Sequence, residues 1–404
     1  MGKAKRRAVC ALAAGALVAA GVVARAAAML PGTVYVAKGE GLQLAAYPWL
    51  KPAPALIYPA AAAGADGSRN ETLTLLEVLP LKTVRVVETE RRTVEVLGTP
   101  FGMKMFSDGA MVVGFTDVET PQGLRSPAKE AGLKLGDLLV SLNGQKELNN
   151  DRAAEAIQES GGSALRLMYR RGGQEHEAEL TPAWDEETGQ YRAGMWLRDS
   201  AAGVGTLTFA DPENRSYGGL GHAISDRDTG KSVALRAGEV VPVEIVGLTR
   251  GTRGEPGELK GVFGQSGAMG SILANDETGV YGRLMTDIPQ GQPMEVAMPQ
   301  EVQAGPAKIL ATAAGRTPEW YDVTIERVNL NSRDANQDLL LRVTDAKLLD
   351  KTGGILQGMS GSPIVQNGRL VGAVTHVLVN DPAKGYGIFA KTMLDSADRA
   401  LKTG

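Results

Sequence analysis

The sequence predicts a mainly β protein, with a C-terminal β-barrel domain preceded by a small α+β domain. Glycine fills 51 of 404 positions, above the ~7% of an average chain, and shows no G-x-y period, so it marks tight turns. Alternating or β-branched runs recur at 233–246, 323–328, 339–343 and 364–379. Long helical periodicity is scarce between 196 and 395. At roughly 150 residues per domain the length allows two or three cores. Hydrophobic residues at 43% and charged residues at 22% exclude wholesale disorder. A net charge of −3 argues against a nucleic-acid binder. The single cysteine, Cys10, excludes an intramolecular disulfide and a cysteine-built zinc site.

Residues 1–30 carry five basic side chains and no acidic one, which leaves 38 basic against 46 acidic residues in the remainder. Lys3, Lys5, Arg6 and Arg7 precede an uncharged run over 8–24, the pattern of an export signal or anchor. The run is longer than the ~7–15 residues of a usual cleaved segment and slightly short of the ~18 of a spanning helix. Small-residue cleavage sites at 24–28 leave both fates open. The basic flank stays cytoplasmic, so everything after residue 30 is expected outside, in an exported and at least transiently membrane-anchored protein. A buried Ala-rich helix is the competing reading.

Residues 31–96 are expected to form a tether, rich in Ala, Pro and Gly up to about residue 70, followed by extended strands such as Val84-Arg85-Val86-Val87. From 97 to 182 the pattern is compact and mixed. Met111-Val112-Val113-Gly114-Phe115 reads as a strand, and Ser126 to Gly132 as a short helix closed by glycine. A strand then runs into the Asn143-Gly144 turn, with an amphipathic helix at 151–159 and a strand at 164–169. This order, and the run SPAKEAGLKLGDLLVSLNG above all, resembles a PDZ domain of the bacterial protease type. By that resemblance Pro100, Phe101, Gly102 and Met103, after Thr99, are the carboxylate-binding loop for a peptide C-terminus. A structural domain without ligand is the alternative. The β-domain spans 196–400, closed by a short helix at 390–400.

Gly358-Met359-Ser360-Gly361-Ser362-Pro363, followed by a strand–turn–strand, suits an acyl-transfer nucleophile. Gly358 lets its own N–H and that of Ser360 point into one pocket, where each donor to an oxyanion is worth ~3–4 kcal/mol in known cases. Gly361 is expected to leave room for substrate. The bland reading is an ordinary Gly-Ser turn.

A serine needs a base, and three histidines exist. His176 lies on a strand between two glutamates and reads as solvent-facing. His376 reads as structural, although it is near enough in sequence to line the site. His222, in GGLGHAISD, sits in a glycine-flanked turn that leaves its ring unobstructed, and an unperturbed pKa of ~6.5 suits a general base. The carboxylate candidates are Asp226, Asp228, Asp334, Asp338, Asp345 and Asp350. Asp226 and Asp228 suit a turn. Asp345 follows the 339–343 run and precedes Ser360 by 15 residues, so His222, Asp345 and Ser360 occur in the chain order of chymotrypsin-like peptidases.

GGLGHAISDRDTG and LRVTDAKLLDKTGGILQGMSGSPIVQNGRLVGAVTHVLVNDPAKGYGIF, with the PDZ-like segment upstream, resemble the stage IV sporulation protein B peptidases, sporulation signalling serine proteases of endospore-forming Firmicutes. The resemblance implies a chymotrypsin-like β-barrel domain with His222 as base, Ser360 as nucleophile and Asp345 as third member. It also implies export from the forespore to the space between two membranes, self-cleavage, then cleavage of a membrane-embedded regulatory complex that releases a sigma factor. No metal, cofactor or nucleic-acid partner is implied. A PDZ adaptor with an inactive β-domain is the alternative. A metal-dependent hydrolase ranks behind both, because no H-x-x-x-H pair exists.

Overall fold

The computed structural model describes residues 21, 23–54, 67–146, 148–226, 228–265 and 267–403. The basic cluster, most of the 8–24 run and the stretch 55–66 lie outside them. No helix among the described residues is long and apolar enough to cross a membrane.

Two six-stranded barrels form the body. The C-terminal barrel is closed in the order Gly305–Ala311, Glu319–Val328, Leu339–Val343, Asp381–Phe389, Arg369–Leu378, Pro363–Gln366. Its inward side chains alternate along each strand, as in Leu339, Leu341 and Val343, all fully buried. Asn367-Gly368 makes the tight turn between the last two strands in sequence pairing, with φ of 53° and 75°. The helix Ala390–Thr403 then packs Met393, Leu394, Ala397 and Ala400 onto a shared core.

The first barrel runs Pro100–Phe115, Leu235–Thr249, Gly270–Asp276, Gly279–Leu284, Ser216–Gly219, Met195–Ala210, and pairing of the last with the first closes the ring. Its two 16-residue strands outrun the barrel, and their far ends carry the PDZ-like unit. There Ala110 and Met111 pair with Leu139 and Leu138, and Leu138–Leu142, Leu165–Arg171 and Gln174–Leu180 extend the same sheet. The helix Asn150–Glu159 covers it, capped by the Asn149 side chain, which accepts from Arg152 N–H at 2.8 Å.

This continuity corrects the expectation for Pro100, Phe101, Gly102 and Met103. They form no carboxylate-binding loop. Phe101 lies opposite Gly205 on one side and Pro242 on the other, and Met103 opposite Gly203 and Val240. Phe101 and Met103 are buried in the first barrel, and a Cβ on Gly102 would press into Phe263, Val241 and Val243. A central strand has spent its amides on its neighbours and has none left for a peptide terminus.

The expected tether is also ordered where it is described. Thr33–Ala37, Leu79–Thr89, Ser68–Leu75 and Leu50–Pro52 form a four-stranded sheet in that order. Leu30, Val34, Val36, Leu42, Leu44 and Leu50 share one core with the C-terminal barrel, and Tyr47 donates its hydroxyl to Val328 O at 3.1 Å. Small and apolar residues there serve packing.

Candidate active site

The two barrels meet at a cleft of about 420 Å³. His222 reaches it from the turn after the strand Ser216–Gly219, where Leu220 and Gly221 both take positive φ (65° and 71°). A Cβ on Gly221 would meet Thr375 and Ile388 at 2.9 and 3.0 Å, so this turn lies directly against the second barrel. Ser360 enters from the loop between the helix Ala346–Thr352 and the strand Pro363–Gln366. Both side chains line the cleft with Gly358, Thr375 and His376.

The nucleophile loop is bonded to the first barrel at three points. Thr206 N–H donates to Ser360 O at 3.0 Å, Thr206 Oγ1 to Gly358 O at 2.9 Å, and Thr208 Oγ1 to Gly361 O at 2.7 Å. Both threonines are buried, so each bond is shielded from water. Gly358 has φ +97°. Among the described residues, neither its N–H nor that of Ser360 finds an acceptor, whereas the amides of Met359, Gly361 and Ser362 all do. Two donors without acceptors on the nucleophile loop, one of them the serine's own, are what an oxyanion requires. Gly361 does not leave room for substrate: a Cβ there would lie 2.0 Å from Thr206 O and 2.5 Å from Leu220 N. The protein itself occupies that space.

His222 Nδ1 lies 2.9 Å from the carbonyl of Ala223. A carbonyl only accepts, so the neutral ring carries its proton on Nδ1 and presents Nε2 as the free base. The His376 ring packs on it, with centroids 4.5 Å apart and planes 32° apart. Burial pushes the His222 imidazole down to about 4; His376 adds to the depression by charge repulsion, and the Ala223 bond opposes it. Burial likewise lowers His376, against an upward pull from the Asp334 carboxylate. Ser360 Oγ donates to Thr375 O at 2.6 Å and makes no hydrogen bond to His222. Catalytic hydrogen bonds are often long or unformed in free enzymes and tighten only when substrate binds.

Asp345 is not brought to the imidazole. Its side chain caps the helix Ala346–Thr352, accepting from Leu348 N–H at 2.9 Å and from Asp322 N–H at 3.3 Å, away from the cleft lining. The residue that ends a strand and starts a helix is held by those amides. Asn still caps the helix but offers one acceptor oxygen where Asp345 uses two, so Asp345→Asn is expected to give up only the longer bond from Asp322 N–H and to cost less stability than Asp345→Ala, which lowers it by ~1 kcal/mol. A strong loss of cleavage in an Asn variant that stays folded would give this carboxylate a chemical role that the observed geometry does not provide. Asp226 pairs with Arg198 and accepts from Thr229 and Asp228 N–H, so it builds its turn. His176 stacks on Tyr169 across two PDZ strands, far from this chemistry in the sheet order.

Sequence reasoning underweighted His376 and missed Thr206, Thr208 and Thr375. Thr206 and Thr208 alternate with the core residue Leu207 and point away from the first barrel's core toward the nucleophile loop, to partners more than 150 positions away that no local pattern announces.

A larger cleft, about 570 Å³, lies on the PDZ-like unit between the helix Asn150–Glu159 and residues 190–197. Met195, Trp196 and Leu197 pair on one side with Phe115, Gly114 and Val112, and among the described residues no strand pairs with their other edge. Trp196 is 64% exposed beside it. This open edge, rather than 100–103, has the geometry for strand addition.

Comparison with known proteins gives two family matches: SpoIVB peptidase S55 over residues 189–394, about half of the chain, and a PDZ domain over 122–171. A Neisseria meningitidis protein named for a zinc metalloprotease is 34% identical over 95 residues, covering 22% of this chain and 21% of that protein. Serine protease HTRA1 of Xenopus laevis is 37% identical over 57 residues, 14% of this chain and 12% of the relative. The chain thus spans about a fifth or less of the length of these curated relatives. Among solved structures, the active form of the Rv3671c protease from M. tuberculosis covers 50% of this chain and 76% of its own at 14% identity and a TM-score of 0.31. The HtrA-type protease AlgW with decapeptide covers 77% and 65% at 10% identity and a TM-score of 0.30.

Proposed function

The chain belongs to the SpoIVB peptidase S55 family and is a serine endopeptidase; we propose that it cleaves itself and then a membrane-associated regulatory protein, as a sporulation checkpoint. In this reading Ser360 Oγ attacks the scissile carbonyl and passes its proton to His222 Nε2. The oxyanion is held by the N–H groups of Gly358 and Ser360. The imidazolium then gives its proton to the leaving amine, and water, deprotonated by the same ring, releases the acyl group from Ser360. The observation that carries the reading is the shared cleft of His222 and Ser360 beside two amides without acceptors. The Ala223 carbonyl supplies the tautomer that a carboxylate sets elsewhere. Export, an N-terminal membrane anchor and a forespore intermembrane location belong to the same proposal, resting on the 1–30 sequence and the family. The open strand edge at 195–197 receives the peptide segment that the PDZ domain binds.

The test uses the full chain, because removing residues before 70 would strip Leu30, Val34 and Leu50 from the barrel's core. Incubated alone, the wild type is expected to yield shorter fragments on a gel, and Ser360→Ala to stay intact. If both stay intact and neither is trimmed by the other, the adaptor reading replaces this one.

The base must be neutral to accept the proton, so activity is lost as pH falls through its pKa. With His222 near 4, kcat/KM is expected to rise around pH 4 and to be flat from about pH 5.5 to 7, where an ordinary histidine would still be titrating. His376→Gln removes the repulsion and is expected to move the acid limb upward in pH. An acid limb near 6.5 in the wild type would contradict the buried ring.

A further inference from the structure

The four-stranded N-terminal sheet has two unlike ends. At one, charged side chains pair: Lys38 with Glu90, and Arg69 with Glu71 and Glu88. At the other, the hairpin joining Ser68–Leu75 to Leu79–Thr89 exposes Leu76 (70%), Val78 (82%) and Leu79 (44%). Trp49 is 48% exposed and abuts the same tip, its carbonyl accepting from Leu76 N–H at 3.1 Å. Turn chemistry does not account for these residues. Leu76 and Glu77 both adopt left-handed backbone, φ 52° and 63°, where Asn-Gly is the favoured pair.

The strand register shows what lies beside this end. Thr33–Ala37 runs parallel to Leu79–Thr89, with Thr33 opposite Arg85. Gly32 O accepts from Arg85 N–H at 2.9 Å, and Leu30 O from Lys82 Nζ at 2.6 Å. Followed backwards, the chain from Thr33 to Leu30 therefore runs beside the strand in the direction of the hairpin tip, to Met29, itself 41% exposed, and to a short helix whose Ala28 carbonyl accepts from Asn331 Nδ2 at 2.9 Å. Upstream in sequence stands the uncharged run 8–24. The described chain thus enters the sheet from the side of the apolar tip, and the uncharged run precedes it in sequence.

We propose that this end rests in a lipid surface, with Trp49, Leu76, Val78 and Leu79 in the interfacial zone next to the point where the N-terminal segment meets the bilayer. An indole and branched aliphatic side chains on a rigid hairpin suit that zone, and a second contact fixes the protein's tilt where one segment alone leaves it free to swivel. Glu77, at the apex, is the one acidic side chain of the tip, and Lys51, opposite Thr74, flanks it. The proposal rests on the reading that the N-terminal segment is membrane-bound, and the test separates the two.

The full chain carrying Cys10→Ser and Val78→Cys is labelled at residue 78 with a small environment-sensitive fluorophore. It is reconstituted with vesicles of phosphatidylcholine and a minor share of phosphatidylglycerol, beside a Val262→Cys control at an exposed position of the strand Glu258–Phe263, which pairs with Leu235–Thr249. Both chains are expected to float with the vesicles. The label at 78 is expected to shift to the blue and to be quenched by lipids bearing a nitroxide on the acyl chain, and the label at 262 by iodide in the water. Flotation with residue 78 open to iodide overturns the proposal and leaves the N-terminal reading standing. A label shielded from both quenchers assigns the tip to a protein partner or a second copy, and overturns it too. Absence of flotation removes both readings.

Discussion

Ser360→Ala is expected to abolish peptide cleavage while the protein stays folded. The hydroxyl's single hydrogen bond runs to Thr375 O, and both groups border the cleft, where water can replace the lost donor. Its loss therefore costs no more than ~1 kcal/mol. The chemical loss is far larger. Removing the nucleophile of a serine peptidase lowers kcat by ~10⁶-fold, leaving what substrate binding and the oxyanion donors supply. The free amides of Gly358 and Ser360 persist in the variant, so it is expected to keep binding peptides it no longer cuts. Turnover of a peptide substrate and thermal unfolding, measured on the same preparation, separate the two effects. Cleavage within tenfold of wild type would remove Ser360 from the chemistry.

Gly361→Ala is expected to prevent the two barrels from docking. Its φ of +93° already disfavours any residue with a Cβ. The added methyl would also lie 2.0 Å from Thr206 O and 2.5 Å from Leu220 N. Both are backbone atoms, one in a barrel strand and one in the turn that carries His222, so neither can swing aside. Overpacking of this kind with a strained backbone costs at least ~3 kcal/mol. Loss of soluble protein, or a denaturation midpoint shifted by that amount, is the expected result. Gly368→Ala is the matched control: φ is +75° but nothing lies within 4 Å of the new methyl, so only the backbone penalty of ~1–2 kcal/mol applies. Equal effects at both positions would contradict the close approach of the nucleophile loop to the first barrel.

Local signals were legible where local physics decides. The 339–343 and 364–379 runs are barrel strands, the latter as a hairpin about Asn367-Gly368, because alternation and turn residues carry that information along a few positions. The helix at 150–159 begins one residue before its expected start, at the position after its Asn149 cap. The glycine-flanked turns carrying His222 and Ser360, which line one cleft, stand out in the sequence for the same reason, since they are short motifs.

Non-local choices were not. Residues 100–103 alternate like any strand, and nothing nearby in sequence announces that Gly205 and Pro242 will flank Phe101. The 30–54 stretch has a linker's composition, yet its scattered Leu, Val and Tyr side chains find a barrel surface some 280 positions away, as Tyr47 does at Val328. Chain order set Asp345 between base and nucleophile, but order carries no distance. The two amides that claim its oxygens belong to the local strand-to-helix turn and to Asp322 on the neighbouring strand.

The central claim is that an activated serine and its base share the inter-barrel cleft. It is tested most directly by exposing the full chain at pH 7 to a serine-directed phosphonate and mapping the adduct by peptide mass. One adduct is predicted, on the peptide carrying Ser360, absent in Ser360→Ala and strongly slowed in His222→Ala. An unlabelled wild type, or an adduct that survives Ser360→Ala unchanged, would contradict it.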